Sequence, residues 1–310
     1  MKILFLGTPS FGVPALKEIL MSRHEVLGVV CQPDKVGNHN KVSICDVKRF
    51  AIENNIKVYQ FDRISRDGLE TVQNIAPDLI LTAALGQILS QKVLDIPKFG
   101  VINIHGSILP KLRGAAPIQR AIIDGNTTTG ITIMKTVYAV DAGDVLAQES
   151  IEIGENETSG ELFMRMSQLA SKMIVPCLDA IENGTAVFTP QKAEDATFCS
   201  KITAEQEVID WNNTATLVHN IVRALNPSPI AWTTVNGVRL KIFGTKVVSN
   251  ITAKAGSVVV SDKNSLVVAC GEGAVSITEL QIENGKHMDI KNFNNGRRIE
   301  VGAILGEINE

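Results

Sequence analysis

Asn103 and His105 stand two residues apart in the run VINIHGSILPKLRGAAP, residues 101–117. A strand repeats every two residues, so both side chains leave the same face of an otherwise apolar segment. An uncharged amide donor beside an imidazole is equipment for acyl transfer: the amide steadies an oxyanion while the imidazole manages a proton. Downstream, TVYAVDAGDVLAQ puts Asp141 and Asp144 in a glycine-containing turn. A carboxylate close to His105 would fix its tautomer and raise its pKa. A lone strand histidine is by default a satisfied core residue, and Asn103 on the same face shifts the balance toward chemistry. Ser107 follows closely, but HGSIL is not the G-x-S-x-G elbow and no triad order serves it. Without a nucleophile, the site is expected to pass a group directly between two bound substrates.

Such a pair needs a strand end to carry it. KILFLG, VLGVVC, DLILTA, GVINIH and GITIMK are short apolar runs of the kind buried parallel strands give. Between the first two, Val13, Leu16, Ile19 and Leu20 recur at helical spacing, and Val47, Phe50 and Ala51 do the same over 46–54. This rhythm predicts an α/β fold with an open, doubly wound, mostly parallel sheet, which binds ligands beyond the carboxyl ends of its strands. Thr158 and Glu161 have capping-box spacing and open a helix expected to kink at Pro176 and end near Gly184. Residues 185–207 show no clear period and read as a crossing segment. After a short helix over 214–225, alternating strands punctuated by Asn-Gly, Asp-Lys-Asn and Gly-Glu-Gly turns predict the hairpins of a small barrel.

Composition removes several alternatives. A chain of 310 residues with 45% apolar and 20% charged residues suits a globular protein of two domains. No run approaches the roughly 20 apolar residues of a membrane span, and MKILFLG is read as the first strand rather than a signal peptide. Cys31, Cys45, Cys177, Cys199 and Cys270 are scattered and odd in number, which fits reduced thiols in the cytoplasm. The histidines are dispersed too, so no metal site is expected. GTPSFG is not G-x-G-x-x-G, which disfavours a dinucleotide. The net charge of −3 argues against nonspecific nucleic-acid binding, yet residues 211–261 hold Arg223, Arg239, Lys241, Lys246 and Lys254 without one Asp or Glu. That stretch is either scatter on a solvated surface or a basic flank facing a polyanion.

The run NIHGSILPKLRGAAPIQRAI closely resembles the signature of the 10-formyltetrahydrofolate-dependent formyltransferases: Asn-x-His, then Ser-Leu-Leu-Pro, then Arg-Gly-x-x-Pro. DAGD matches that family's Asp at the separation the family shows. MKILFLGTPSFGVPAL, QPDK, ILTAALGQIL and IDW…VRALNPSPIAW resemble in particular the branch whose acceptor is methionine esterified to initiator tRNA, and the likeness runs nearly end to end. It implies a Rossmann-like formyltransferase domain over 1–185, a linker over 186–207, and a C-terminal β-barrel of the oligonucleotide-binding type over 208–310 that binds tRNA. It further implies a monomer with 10-formyltetrahydrofolate as a dissociable cosubstrate, no metal, and the amine of methionyl-initiator tRNA as acceptor. Asn103 and protonated His105 would stabilise the oxyanion, and Asp141 would orient His105 and relay the amine's proton. Leu85, Gly86, Gln87, Ile88, Ser107, Leu109, Pro110, Val137 and Tyr138 would receive the folate. Lys35, Lys41, Arg223, Arg239, Lys241 and Lys246 would contact tRNA, while Arg113 could brace its loop or touch a ligand.

The sequence also departs from the pattern. The family's basic insertion reads here PDKVGNHNKVSICDVK, one residue shorter, with Asn38 and Asn40 near usual cations and Ile44 and Asp46 in place of prolines. Only Lys35, Lys41, Lys48 and Arg49 supply positive charge there, against Asp34 and Asp46. This leaves room for a rival acceptor, an amine on a nucleotide-linked sugar. A noncatalytic folate or tRNA binder is the rival from another class, but binding alone needs none of Asn103, His105 and Asp141.

Overall fold

The computed structural model describes residues 1–36 and 42–307. The chain divides into two compact units: Met1–Pro117, Thr129–Glu152 and Phe163–Cys199 form one, and Ile118–Thr128, Ile153–Leu162 and Ser200–Glu310 form the other.

The first unit opens with β1 (Lys2–Gly7), α1 (Val13–Leu20) and β2 (Glu25–Cys31), then α2 (Asp46–Glu53) and β3 (Val58–Gln60). Strands β4 (Leu79–Ala83) and β5 (Val101–His105) follow, then a two-residue strand β6 (Arg113–Gly114), and β7 (Thr128–Lys135) and β8 (Val145–Glu152). The seven-stranded sheet runs β8-β7-β5-β4-β1-β2-β3. β1 pairs in parallel with both β2 and β4, and β4 with β5. The chain thus winds outward from β1 in one direction and returns to continue from β4 in the other, the reversal that opens a crevice past the carboxyl ends of β1 and β4. Every residue of β4 is buried, as expected of a strand covered on both faces. α1 turns Ala15, Leu16 and Ile19 inward, and Pro14 in its first turn is pre-set for the helix.

One expectation needs correction. GITIMK reads as another parallel strand, but β7 runs antiparallel to β5, with His105 opposite Thr132 and Ile102 opposite Lys135. A buried apolar run carries no information about its direction, so periodicity alone could not separate the two cases.

The helix opened by Thr158, α3 (Ser159–Glu182), has its capping box: the Thr158 amide donates to Glu161 Oε2 at 2.8 Å and the Glu161 amide to Thr158 Oγ1 at 3.3 Å. It continues as helix through Pro176. Gly184 follows with φ +71°, the left-handed conformation that ends helices. The linker expected over 186–207 is not a free connection up to Cys199. Thr189 bridges Val145, and β9 (Phe198–Cys199) pairs in parallel with β6, so this part of the chain belongs to the first unit.

In the second unit Thr214 caps α4 (Ala215–Ala224) by accepting from the Leu217 amide at 3.2 Å. Six strands follow: β10 (Ala231–Val235), β11 (Val238–Val248), β12 (Val258–Ser261), β13 (Leu266–Ala269), β14 (Ala274–Ile282) and a two-residue strand, Met288–Asp289, that pairs with β14 off the main path. The first five form an antiparallel sheet in the order β10-β11-β14-β13-β12. Asn236 and Gly237 both take positive φ, 50° and 76°, which matches the twist of a two-residue hairpin between β10 and β11. Leu305 bridges Val235 while Ile304 bridges Ser257, so a late segment lies between the free edges of β10 and β12 and closes the sheet into a barrel. Inside it Val218, Leu240, Ile242, Val268, Ile277 and Leu280 are wholly buried.

Candidate active site

β5 delivers His105 at the carboxyl end of the sheet, 5% exposed, with the half-buried Asn103 two residues back on the same strand face. His105 Nε2 lies 3.0 Å from the Leu112 carbonyl oxygen. A carbonyl only accepts, so Nε2 carries the ring hydrogen and Nδ1 is the basic nitrogen. Nδ1 faces Asp141 Oδ2 at 3.6 Å. That same oxygen accepts the Gly114 amide at 2.8 Å.

Burial is the largest influence on His105 and pulls its pKa below the ordinary value; Asp141 and the Leu112 contact push back without overcoming it. The carboxylate does act in the direction expected from the sequence, but removal from water penalises the charged form and outweighs it. Asn103 Oδ1 accepts the Thr82 hydroxyl at 2.7 Å. This orients the amide and leaves Nδ2 without a partner among the described residues.

The loop behind His105 is fixed from two sides. Thr132 Oγ1 donates to the Ser107 carbonyl at 2.7 Å and accepts the Leu109 amide at 3.1 Å, and Gln148 Nε2 holds the Leu109 carbonyl at 2.7 Å. From the far side, Thr197 receives the Arg113 and Leu112 amides, and the Cys199 thiol donates to the Leu112 carbonyl at 3.5 Å. A Cβ on Gly114 would come within 2.1 Å of the Cys199 carbonyl oxygen, and its φ of +123° also requires glycine.

Gln191 is the residue that sequence reasoning missed. Its Oε1 accepts from Arg113 Nε at 3.1 Å and Nη2 at 2.8 Å, while its Nε2 donates to the Asp141 and Gly143 carbonyls at 2.9 and 2.7 Å. One amide thus ties the β6 loop to the Asp141 turn. Arg113, 8% exposed, braces the loop through a neutral partner. No motif marks Gln191, and the only signal was a polar residue in a segment without period.

The residues assigned to folate occupy two kinds of place. Leu85, Ser107 and Leu109 are buried, whereas Ile88, Val137 and Tyr138 are large apolar side chains left exposed on the loops after β4 and β7. Gly86 has φ +75°, and Leu109–Pro110 is a cis peptide. Gln87 is spent on the segment over 61–64, accepting the Ile64 amide at 2.9 Å and donating to the Phe61 carbonyl at 3.0 Å. Ser107 donates to the Lys111 carbonyl at 2.6 Å.

Among the residues assigned to tRNA, Lys41 lies outside the described residues, and Lys35 begins a two-residue strand. Lys48 pairs with Asp34 and donates to Gln60 at 2.8 Å, and Arg49 pairs with Asp46. Arg239, Lys241 and Lys246 all lie on β11. The register of β11 shifts between Ile242 and Thr245, and the inward positions change from Leu240 and Ile242 to Thr245. That irregularity returns Lys246 to the outer face shared by Arg239 and Lys241. The Arg239 guanidinium stacks 4.0 Å over the Trp232 ring. Arg223 does not join this face. It is 7% exposed and its guanidinium is occupied by Asn220 Oδ1 and the carbonyls of Gly154 and Glu157, each within 3.1 Å. Sequence placed it among surface cations because its acceptors lie in a remote segment.

Comparison with known proteins agrees with this geometry. A family described as formyl transferase matches residues 1–178, and one described as formyl transferase, C-terminal domain, matches 201–298. A methionyl-tRNA formyltransferase of Acetivibrio thermocellus is 41% identical over 311 residues, covering 99% of this chain and all of that protein. One from Bacillus thuringiensis subsp. konkukian is 43% identical over 310 residues, covering 99% of each. A solved N-formyltransferase from Helicobacter canadensis, in complex with folinic acid and dTDP-3-aminofucose, shares the fold at a TM-score of 0.68 and 18% identity, over 89% of this chain and 98% of that one. With a strand-end Asn and His, an adjoining Asp and both family matches in place, this chain belongs to the formyl transferase family.

Proposed function

We propose that this protein transfers the formyl group of 10-formyltetrahydrofolate to the free amine of methionyl-initiator tRNA. The observation that carries the chemistry is the setting of His105, with Nε2 against the Leu112 carbonyl 3.0 Å away and Nδ1 turned to the Asp141 carboxylate 3.6 Å away. The acceptor is read from relatives alike along their full length. As the amine nitrogen bonds to the formyl carbon, Asn103 Nδ2 donates to the formyl oxygen on which charge gathers. His105 Nδ1 takes the proton the amine must lose, and Asp141 stabilises the imidazolium so formed. The bond from the formyl carbon to N10 then breaks, and the proton leaves with tetrahydrofolate. Ile88, Val137 and Tyr138, apolar yet exposed, suit the flat ring system of a folate.

Arg239, Lys241 and Lys246 supply an outward basic row for the phosphate backbone. The enzyme works as a monomer in the cytoplasm on this reading, which suits its five scattered cysteines. The test mixes the protein with 10-formyltetrahydrofolate and, in separate tubes, methionyl-initiator tRNA, methionyl-elongator tRNA and a nucleotide-linked amino sugar. Formyl-methionine on the initiator alone is the expected result. Turnover of the sugar without transfer to tRNA would retain the chemistry and replace the acceptor.

A further inference from the structure

Phe198 is 73% exposed, while Cys199 beside it in β9 is buried. Large aromatic side chains left in water on a fixed backbone are uncommon, and this backbone is fixed. Thr197 takes the Leu112 amide on its Oγ1 at 2.9 Å and the Arg113 amide on its carbonyl at 2.9 Å. Cys199 takes the Ala115 amide on its carbonyl at 3.0 Å and gives its thiol hydrogen to the Leu112 carbonyl. Phe198 therefore sits between two residues that both grip Leu112, whose oxygen holds His105. Its register partner is Arg113, one residue before Gly114, whose amide holds Asp141. None of the hydrogen bonds that build the reacting centre uses the Phe198 ring. The fold thus holds an aromatic face in solvent, one strand position from a residue bonded to the carboxylate.

The reading of the acceptor on which this rests supplies the complement. In an aminoacyl-tRNA the reacting amine is attached through its ester to the ribose of an unpaired terminal nucleotide. Once the amine is seated at His105, the base of that nucleotide must lie a short way off, out of the double helix, with its face unpaired. Aromatic side chains hold such bases by stacking, because every base has a π-face.

We propose that Phe198 is a positioning residue for the acceptor, stacking on the terminal base of methionyl-tRNA while its amine occupies the site. The ring takes no part in bond making, so its loss should appear in acceptor binding and spare turnover. The experiment measures steady-state kinetics for wild type, Phe198→Ala, Phe198→Leu and Phe198→Tyr, varying methionyl-tRNA and 10-formyltetrahydrofolate in turn. Phe198→Ala is expected to raise KM for methionyl-tRNA about 5- to 100-fold, the range base–aromatic stacking gives, with kcat and the folate KM within about twofold. Tyr should restore the acceptor KM and Leu should not, since an equally apolar side chain without a ring cannot stack. An unchanged acceptor KM in Phe198→Ala, a selective rise in the folate KM, or full rescue by Leu would each overturn the assignment. A wild-type protein that formylates no tRNA would instead sink the acceptor reading, and this proposal with it.

Discussion

The Nε2 hydrogen of His105 is committed to the main-chain oxygen of Leu112, 3.0 Å away, and this settles which ring nitrogen is available to a substrate. Only Nδ1, on the Asp141 side, can accept a proton without breaking the loop contact.

Because burial holds the His105 pKa below its ordinary value, the acidic limb of kcat due to this group should lie below about pH 6.5. Asp141→Asn removes the charge that favours the imidazolium, so the limb should move to still lower pH while kcat falls. A pH–kcat series on both proteins decides it, and a limb that moved upward would contradict the pairing. His105→Ala should lower turnover by about 10²- to 10⁴-fold with its melting temperature retained.

Asn103→Ala should cost about 10²- to 10³-fold in kcat, the usual loss for one oxyanion donor. Thr82→Val leaves the amide present but free to rotate, so its cost should be smaller and fall on the same constant. Equal losses in the two variants would mean that the hydroxyl does more than orient the amide.

Gln191→Ala breaks the hydrogen bonds to Arg113 and to the Asp141 and Gly143 carbonyls and strands the buried Arg113 guanidinium. A loss of about 1–3 kcal/mol in stability is expected for an unsatisfied group of this kind, together with reduced kcat as the Asp141 turn loosens. Gln191→Glu keeps acceptors for Arg113 but sets a carboxylate against the Asp141 and Gly143 carbonyls, so it should rescue stability only in part. Chemical denaturation and kinetics on both variants would show it.

His24, His105 and His219 are all held below the ordinary histidine pKa, in each case chiefly by burial. The unfolded chain then binds more protons than the folded one below about pH 6.5, so stability should fall as pH drops through that value and stay level above it. His219 is distant in sequence from the reacting residues and contacts Thr245 at 2.9 Å and the Glu155 carbonyl at 3.3 Å. His219→Gln should flatten the acid slope of melting temperature, whatever its effect at pH 7.5. An unchanged slope would remove this group from the acid response.

Arg239→Gln, Lys241→Gln and Lys246→Gln should each weaken tRNA binding and reduce the salt slope of log Kd by about one. Arg223→Gln should instead lower stability while leaving that slope alone, since its guanidinium is spent on internal acceptors. Binding titrations at several salt concentrations distinguish the two behaviours.

What could be read from the sequence was local. The spacing of Asn103 and His105, the capping box at Thr158 and the Asn236–Gly237 hairpin each follow from neighbours a few residues apart. What escaped depends on chain segments far apart meeting. Gln191 acquires its role from Arg113 and the Asp141 turn, and Arg223 from carbonyls at Gly154 and Glu157. The direction of β7 is set by its partner strand. The charge state of His105 is a matter of how much water the folded chain removes from it, which no spacing encodes.

The segment that bridges β10 and β12 has a consequence for how the second unit is made. The Gly306 amide bonds to the Thr234 carbonyl and the Leu305 amide to the Gly256 carbonyl. A ribosome must therefore deliver residue 306 before the barrel can close, and until then the chain presents two unpaired strand edges. Those edges can recruit other chains, and closure across so long a stretch of sequence is slow compared with a hairpin. Yield in the cell should accordingly depend on how long that half-built sheet is kept from its neighbours during synthesis.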